Sequence, residues 1–188
     1  MLINEYQEHQ ASGYCEKCGR LPYSTSYALF KDEFSTKRKQ LRELMPSIPV
    51  VTAQSPQNWQ YDTISLVTAQ SVLGTGLVSE ISSGFSDLFG TNSQTLTSKL
   101  KNGENFCLDM LRKEALQLGA NAIIAVDVDY SEVGGSKAML MVCMSGTAVK
   151  LRNTEILGET QGKNIVNAIE LTNRINYLLQ FADLHYTL

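Results

Sequence analysis

Along the chain, apolar and polar positions sort into stretches with different periods. Residues 122–126 and 138–144 are almost continuously apolar, and a polar segment containing Gly134, Gly135 and Ser136 separates them. A strand buried on one side alternates, whereas a strand covered on both faces does not, so the pair reads as a β-hairpin shielded on both sides. The glycines supply a turn able to reach positive φ. One small domain seldom covers both faces of such a ribbon alone, and association between copies is therefore expected. Upstream, Val50 and Val51 and then residues 63–72 are rich in β-branched side chains and read as strand, ended by Gly74 and Gly76. Residues 97–118 carry helical spacing, with Leu100, Cys107, Met110, Leu111, Ala115 and Leu118 on one broad stripe. Gly103 is a weak point in that helix and Gly119 a natural stop. Residues 77–88 show a shorter amphipathic pattern, and Thr91, Asn92 and Ser93 mark a loop. Near the end, Ile165, Ala168, Ile169, Leu171, Ile175, Leu178, Leu179 and Ala182 recur at three- and four-residue intervals and predict an amphipathic helix over residues 163–183.

A charged segment beginning at Lys31 reads as a short helix that Pro46 and Pro49 interrupt, which places a boundary there. Three parts follow: residues 1–47, a polar segment with Tyr14, Tyr23 and Tyr27; residues 48–151, the main domain; and residues 152–188, a linker with Gly158 and Gly162 and the terminal helix. The order of polar head, strand, helices, hairpin and terminal helix predicts an α+β fold. The terminal helix offers an apolar stripe for capping an assembly, for a neighbouring copy, or for another protein partner.

At 188 residues, one core with appended ends is expected. The net charge is −3, and basic residues gather only at Lys37, Arg38 and Lys39 with Arg42 nearby, so nucleic acid is not indicated as a partner. The amino terminus has neither a basic start nor an apolar stretch, and no run approaches the roughly 20 apolar residues that cross a bilayer. No membrane partner is expected, and the cytoplasm is the default location.

Four cysteines are too few for a disulfide scaffold, and Cys107 and Cys143 lie in apolar surroundings that suit buried thiols. Cys15 and Cys18 invite chemistry. In GYCEKCGR, residues 13–20, two cysteines flank two residues and a glycine follows, as in a zinc knuckle, where a tight turn brings both sulfurs to one metal. A structural zinc wants four ligands, however, and only His9, His185, Cys107 and Cys143 remain as nitrogen or sulfur candidates. Three readings stay open: zinc at Cys15 and Cys18, a simply reduced pair, and a redox pair lacking the βαβ context of thioredoxin-like motifs. Asp127 and Asp129 point to one face of a predicted strand, where a hard cation or a solvated strand end would suit them. Gly74, Thr75 and Gly76 resemble the opening of a phosphate-binding turn without its third glycine. Met139, Met141 and Met144 read as packing in a strand more than as thioether ligands. No nucleophile stands with a base, since both histidines lie at the chain ends, and a non-enzymatic protein is expected, with a small-ligand binder or enzyme whose pocket lies between subunits as a further alternative.

The blocks VLGTGLVSEI, LRKEALQLGANAIIAVDVDY and MLMVCMSGTAV resemble the YbjQ-like family of bacterial proteins, labelled as heavy-metal-binding domains. The resemblance covers residues 63–151 and is close at residues 119–122 and 146–149. It implies an α+β subunit whose strands associate between copies into a closed ring, a homopentamer. It implies no reaction and maps no ligand set onto this chain. Where relatives carry a glycine-rich basic segment, this chain has Gly90, Thr91, Asn92, Ser93 and Gln94. The Cys15/Cys18 head and the terminal helix lie outside the resemblance.

Overall fold

The computed structural model of the chain describes residues 2–7, 13–73, 92–133 and 139–181. In chain order the elements are helices α1 (Leu2–Tyr6) and α2 (Glu16–Leu44), a 3-10 turn (Met45–Ser47), strand β1 (Tyr61–Leu73), helix α3 (Asn92–Gln117), strands β2 (Ala122–Val133) and β3 (Met139–Leu151), a second 3-10 turn (Thr154–Leu157) and helix α4 (Glu159–Leu179). The chain divides into two compact units, residues 45–165 and residues 1–44 with 166–188.

Residues 45–165 carry the sheet, three antiparallel strands in the order β1-β3-β2, and the α+β expectation holds. The expected hairpin is β2 with β3, paired from Ala122↔Val149 to Val133↔Met139. Its turn at Gly134, Gly135 and Ser136 lies outside the described residues, as do the Gly74–Gly76 turn and the expected helix over residues 77–88. One face of the sheet packs on α3: Val67 and Ala69 of β1 and Val142, Met144 and Ala148 of β3 close over Cys107, Leu111 and Ala115. On the other face, Ala122, Ile124, Val149 and Leu151 pack at one end with Trp59, Tyr61 and Leu157 among the described residues. The described residues thus supply about half of the double shielding inferred from the hairpin's apolar run.

Local chemistry accounts for the departures from expectation. Gly103 lies inside α3 where the helix closely approaches the sheet, since a Cβ there would stand 3.3 Å from Val142 Cγ2 and 3.4 Å from Leu73 Cδ2. Met110 and Leu118, expected on the buried stripe, are exposed. The helix begins at Asn92, so Asn92 and Ser93, which read as loop, open it instead. It ends as expected at Gly119, with φ 80°: the amides of Gly119 and Ala120 donate to the carbonyls of Leu116 and Ala115, closing the reverse turn that glycine permits. β2 bulges between Ile124 and Asp127, with Ala125 at φ 53°. The bulge lets the backbone of residues 49–53 run beside it, Ile123 donating to Pro49, Val51 to Ile123, Val126 to Val51 and Ala125 to Ala53.

The other unit is helical. α2 has 29 residues, against the short helix expected from Lys31. Pro22 lies inside the helix in its second turn, where its missing amide forfeits one hydrogen bond. The face is also aromatic: Tyr23, Tyr27, Phe30 and Phe34 stack in succession with centroids 5.7–6.0 Å apart. Phe30 is buried with Leu2 and Leu178, and Tyr6 and Phe181 pack around them. Arg174 ties three helices together: it donates to both carboxylate oxygens of Glu33, at 2.8 and 3.0 Å, and to Glu5 at 2.7 Å. α4 starts four residues before the expected Lys163 and takes in Gly162, where a Cβ would stand 3.3 Å from the Thr154 carbonyl oxygen.

Candidate functional site

Cys15 is the last residue before α2 and Cys18 lies in its first turn. The Cys18 amide donates to Cys15 Sγ at 3.2 Å, so a sulfur occupies the position where a serine or aspartate oxygen commonly caps a helix. Both thiols are free and exposed. The hydrogen bonds from Cys18, side chain and backbone, hold the Cys15 thiol below its usual range, while donating to Cys15 holds Cys18 above it. The pair therefore sits on a helix start rather than in an isolated knuckle turn. Among the described residues no three His, Cys, Asp or Glu side chains gather as a metal site. His9 and His185, the nitrogen candidates, lie outside the described residues.

The remaining sulfur and carboxylate candidates stay apart. Cys107 is buried, its thiol donating toward the Val142 carbonyl at 3.6 Å, and burial raises its pKa. Cys143, expected to be buried, is half-exposed on the far face of β3. Asp127 and Asp129 are exposed and share the open face of the sheet, opposite Ser145 and Cys143, with Asp129 accepting from the Tyr130 amide. Met144 is buried against α3, whereas Met139 and Met141 fall on the opposite face by strand alternation, so the three thioethers do not converge. Two open grooves of about 520 and 490 Å³ are lined by Lys37, Gln40 and Glu43 with Glu170 and Arg174, and by Ser47, Glu159, Gln161 and Asn164. No buried side-chain polar atom among the described residues lacks a partner, so none marks an interior ligand position.

The sheet edges are the other candidate. Along the outer edge of β1, no described strand pairs, and the Thr68 amide donates to Glu114 Oε2 at 3.2 Å. Ile64, Leu66 and Val72 are 41%, 66% and 55% exposed. β2 is flanked by residues 49–53 beside its first half only, which leaves the edge over residues 127–133 without a described strand partner.

Residues 45–165 thus define a small α+β domain, an antiparallel sheet with one helix-covered face and edges that no described strand fully covers. The chain belongs to the YbjQ-like family, whose model, described as "Putative heavy-metal-binding", matches residues 48–152. UPF0145 proteins from two strains of Caulobacter vibrioides are each 36% identical over 108 residues, 57% of this chain and 99% of theirs. A crystal structure of a DUF74-family protein of unknown function from Pediococcus pentosaceus shares 19% identity at a TM-score of 0.39, covering 54% of this chain and 95% of that one. The family match reaches upstream of the resemblance read at residues 63–151 and takes in the buried Ile48 and the segment beside β2. Sequence reasoning read Val50 and Val51 as strand and began the main domain at residue 48; in the structure Val50 forms an isolated parallel bridge to Ile123 beside β2. Among the described residues no helix is long and apolar enough to cross a membrane.

Proposed function

We propose that the protein is a non-enzymatic, self-assembling protein in which sheets of successive copies join edge to edge into a closed ring, with five copies the number the family resemblance implies. The supporting observation is the β1 edge: residues 63–73 contain no charged residue, and three large apolar side chains stand exposed along them. Monomeric sheets blunt a long edge with lysine, proline or cover, because unpaired amides and carbonyls recruit other strands. β2 offers a second edge over residues 127–133, so β1 of one copy and β2 of the next can continue one sheet, displacing the Glu114 contact at Thr68. Such a head-to-tail contact closes into a ring when the rotation per copy divides a full turn. The Leu66→Lys, Val72→Lys double variant tests it by placing like charges on the edge. Loss of assembly by light scattering, with unchanged circular dichroism, is expected; an unchanged assembly mass defeats the edge contact.

A second reading, metal capture in a reducing cytoplasm, is supported by the exposed Cys15/Cys18 pair and by the family's description. Zinc prefers four ligands, whereas two thiolates alone suit a soft ion of low coordination number such as Cu(I). Elemental analysis of reduced, chelator-free protein decides it: less than about one-tenth equivalent of any thiophilic metal ends this reading.

A further inference from the structure

We propose that Cys15 and Cys18 form a redox couple, closing reversibly into an intramolecular disulfide by exchange with a disulfide of low molecular weight. This goes beyond both the ring and metal capture, since it needs neither a second copy nor an ion. The geometry carries it. Cys15 Sγ already stands 3.2 Å from the Cys18 amide, so the first side chain is folded back over the turn that holds the second. Side chains three apart at a helix start have Cβ atoms about 5–6 Å apart, and a disulfide needs roughly 3.5–4.5 Å. The difference of roughly 1.5 Å falls on a first turn whose amides have few intrahelical acceptors, where it can be absorbed cheaply.

The approach is built in by the neighbours. The Gly19 amide donates to the Cys15 carbonyl at 2.8 Å, which fixes the cysteine backbone onto the helix. A Cβ at Gly19 would lie 3.0 Å from Tyr14 Cβ, so glycine there lets the chain leading into Cys15 fold back against the helix. Both sulfurs are open to a bulky reagent, whereas Cys107 is buried.

The exchange balances as follows. Cys15 thiolate attacks one sulfur of R–S–S–R, forming a Cys15–S–S–R mixed disulfide and releasing RS⁻. Cys18 gives up its proton to solvent and attacks Cys15 Sγ, forming the Cys15–Cys18 bond and releasing the second RS⁻. Two electrons pass from the protein to the reagent, and the two released thiolates take up two protons, giving two RSH. A dithiol reductant reverses it.

The test incubates the full chain, with chelator present, in glutathione buffers of increasing disulfide content, followed by acid quench, alkylation and peptide mass analysis. The peptide bearing both cysteines is expected to lose two hydrogens and to escape alkylation, with no retained glutathione, while Cys107 stays alkylatable after unfolding. Cys15→Ser and Cys18→Ser, both at exposed positions, are each expected to abolish that loss and to hold one glutathione as a stable adduct. A wild-type chain that keeps both thiols free throughout, or that accumulates only mixed disulfides, overturns the proposal. Neither result bears on assembly mass or metal content, which are measured separately on reduced protein.

Discussion

Gly146 leaves no room for a side chain in the sheet. It lies on β3 beside the β2 bulge, and a Cβ there would stand 2.8 Å from Ile123 Cγ2, 2.8 Å from Val126 Cγ2 and 3.4 Å from the Ile124 carbonyl oxygen. Ile123 is fully buried and Val126 is 8% exposed, so neither methyl has free space to enter. Gly146→Ala must therefore displace two packed side chains, an overpacking that costs roughly 1–3 kcal/mol. Its φ is not positive, so alanine also restricts the unfolded chain and returns about 0.4–1 kcal/mol. The net expectation is a loss of about 1–2 kcal/mol. Trp59, the single tryptophan, packs beside Ile124 and Val149 and reports unfolding of this unit by fluorescence in urea. The cause is isolated by a double-mutant cycle with Val126→Ala, which removes one of the two obstructing methyls. Coupling of about 0.5 kcal/mol or more in the relieving direction is expected. Strict additivity, or a Gly146→Ala chain as stable as wild type at equal protein concentration, refutes the close-approach argument.

Asn121 is 4% exposed, donates to the Leu151 carbonyl at 3.0 Å and accepts from the Leu151 amide at 2.6 Å. Asn121→Ala orphans both backbone groups and should cost about 2–4 kcal/mol in the same urea assay; a loss below about 0.5 kcal/mol contradicts it. Arg174 holds Glu33 below the usual carboxylate range, and Tyr177 does the same for Glu5. These depressed values give stability that is present above the ordinary carboxylate pKa of about 4.3 and is lost as pH falls through the folded values. Tyr6, raised by burial and by donating to Glu33, contributes stability present below about 10 and lost as pH rises through its folded value. Arg174→Met should cost about 1–2 kcal/mol at neutral pH, since the group is part-exposed, and should flatten the acid limb of a circular-dichroism melting series; parallel pH curves for variant and wild type contradict it.

What was legible in the sequence followed period and punctuation. The hairpin, the β1 strand, the Gly119 stop and the terminal helix each rest on a local signal with one physical meaning. The 29-residue α2 was not legible because its apolar stripe is aromatic and interrupted by Glu33 and Lys37, and because Gly19 and Pro22 sit where a stop would. Glu33 inside that stripe makes sense only once Arg174 is opposite it, a contact between residues 141 apart in the chain. Gly103 reads as a weak point in its helix and Gly146 carries no local signal, yet each marks a close approach that no single-strand or single-helix pattern encodes. At the candidate site, spacing identified Cys15 and Cys18 as a pair but could not show that Cys15 caps a helix, since that helix itself was hidden.

The central claim is that the uncharged β1 edge is covered by a second copy. Native mass spectrometry of reduced, full-length protein, diluted stepwise with its fold followed by Trp59 fluorescence, tests it most directly. A single closed species at a fixed multiple of the 20.8 kDa chain, expected to be five, is predicted by the account. A folded chain that remains a monomer at every concentration contradicts it.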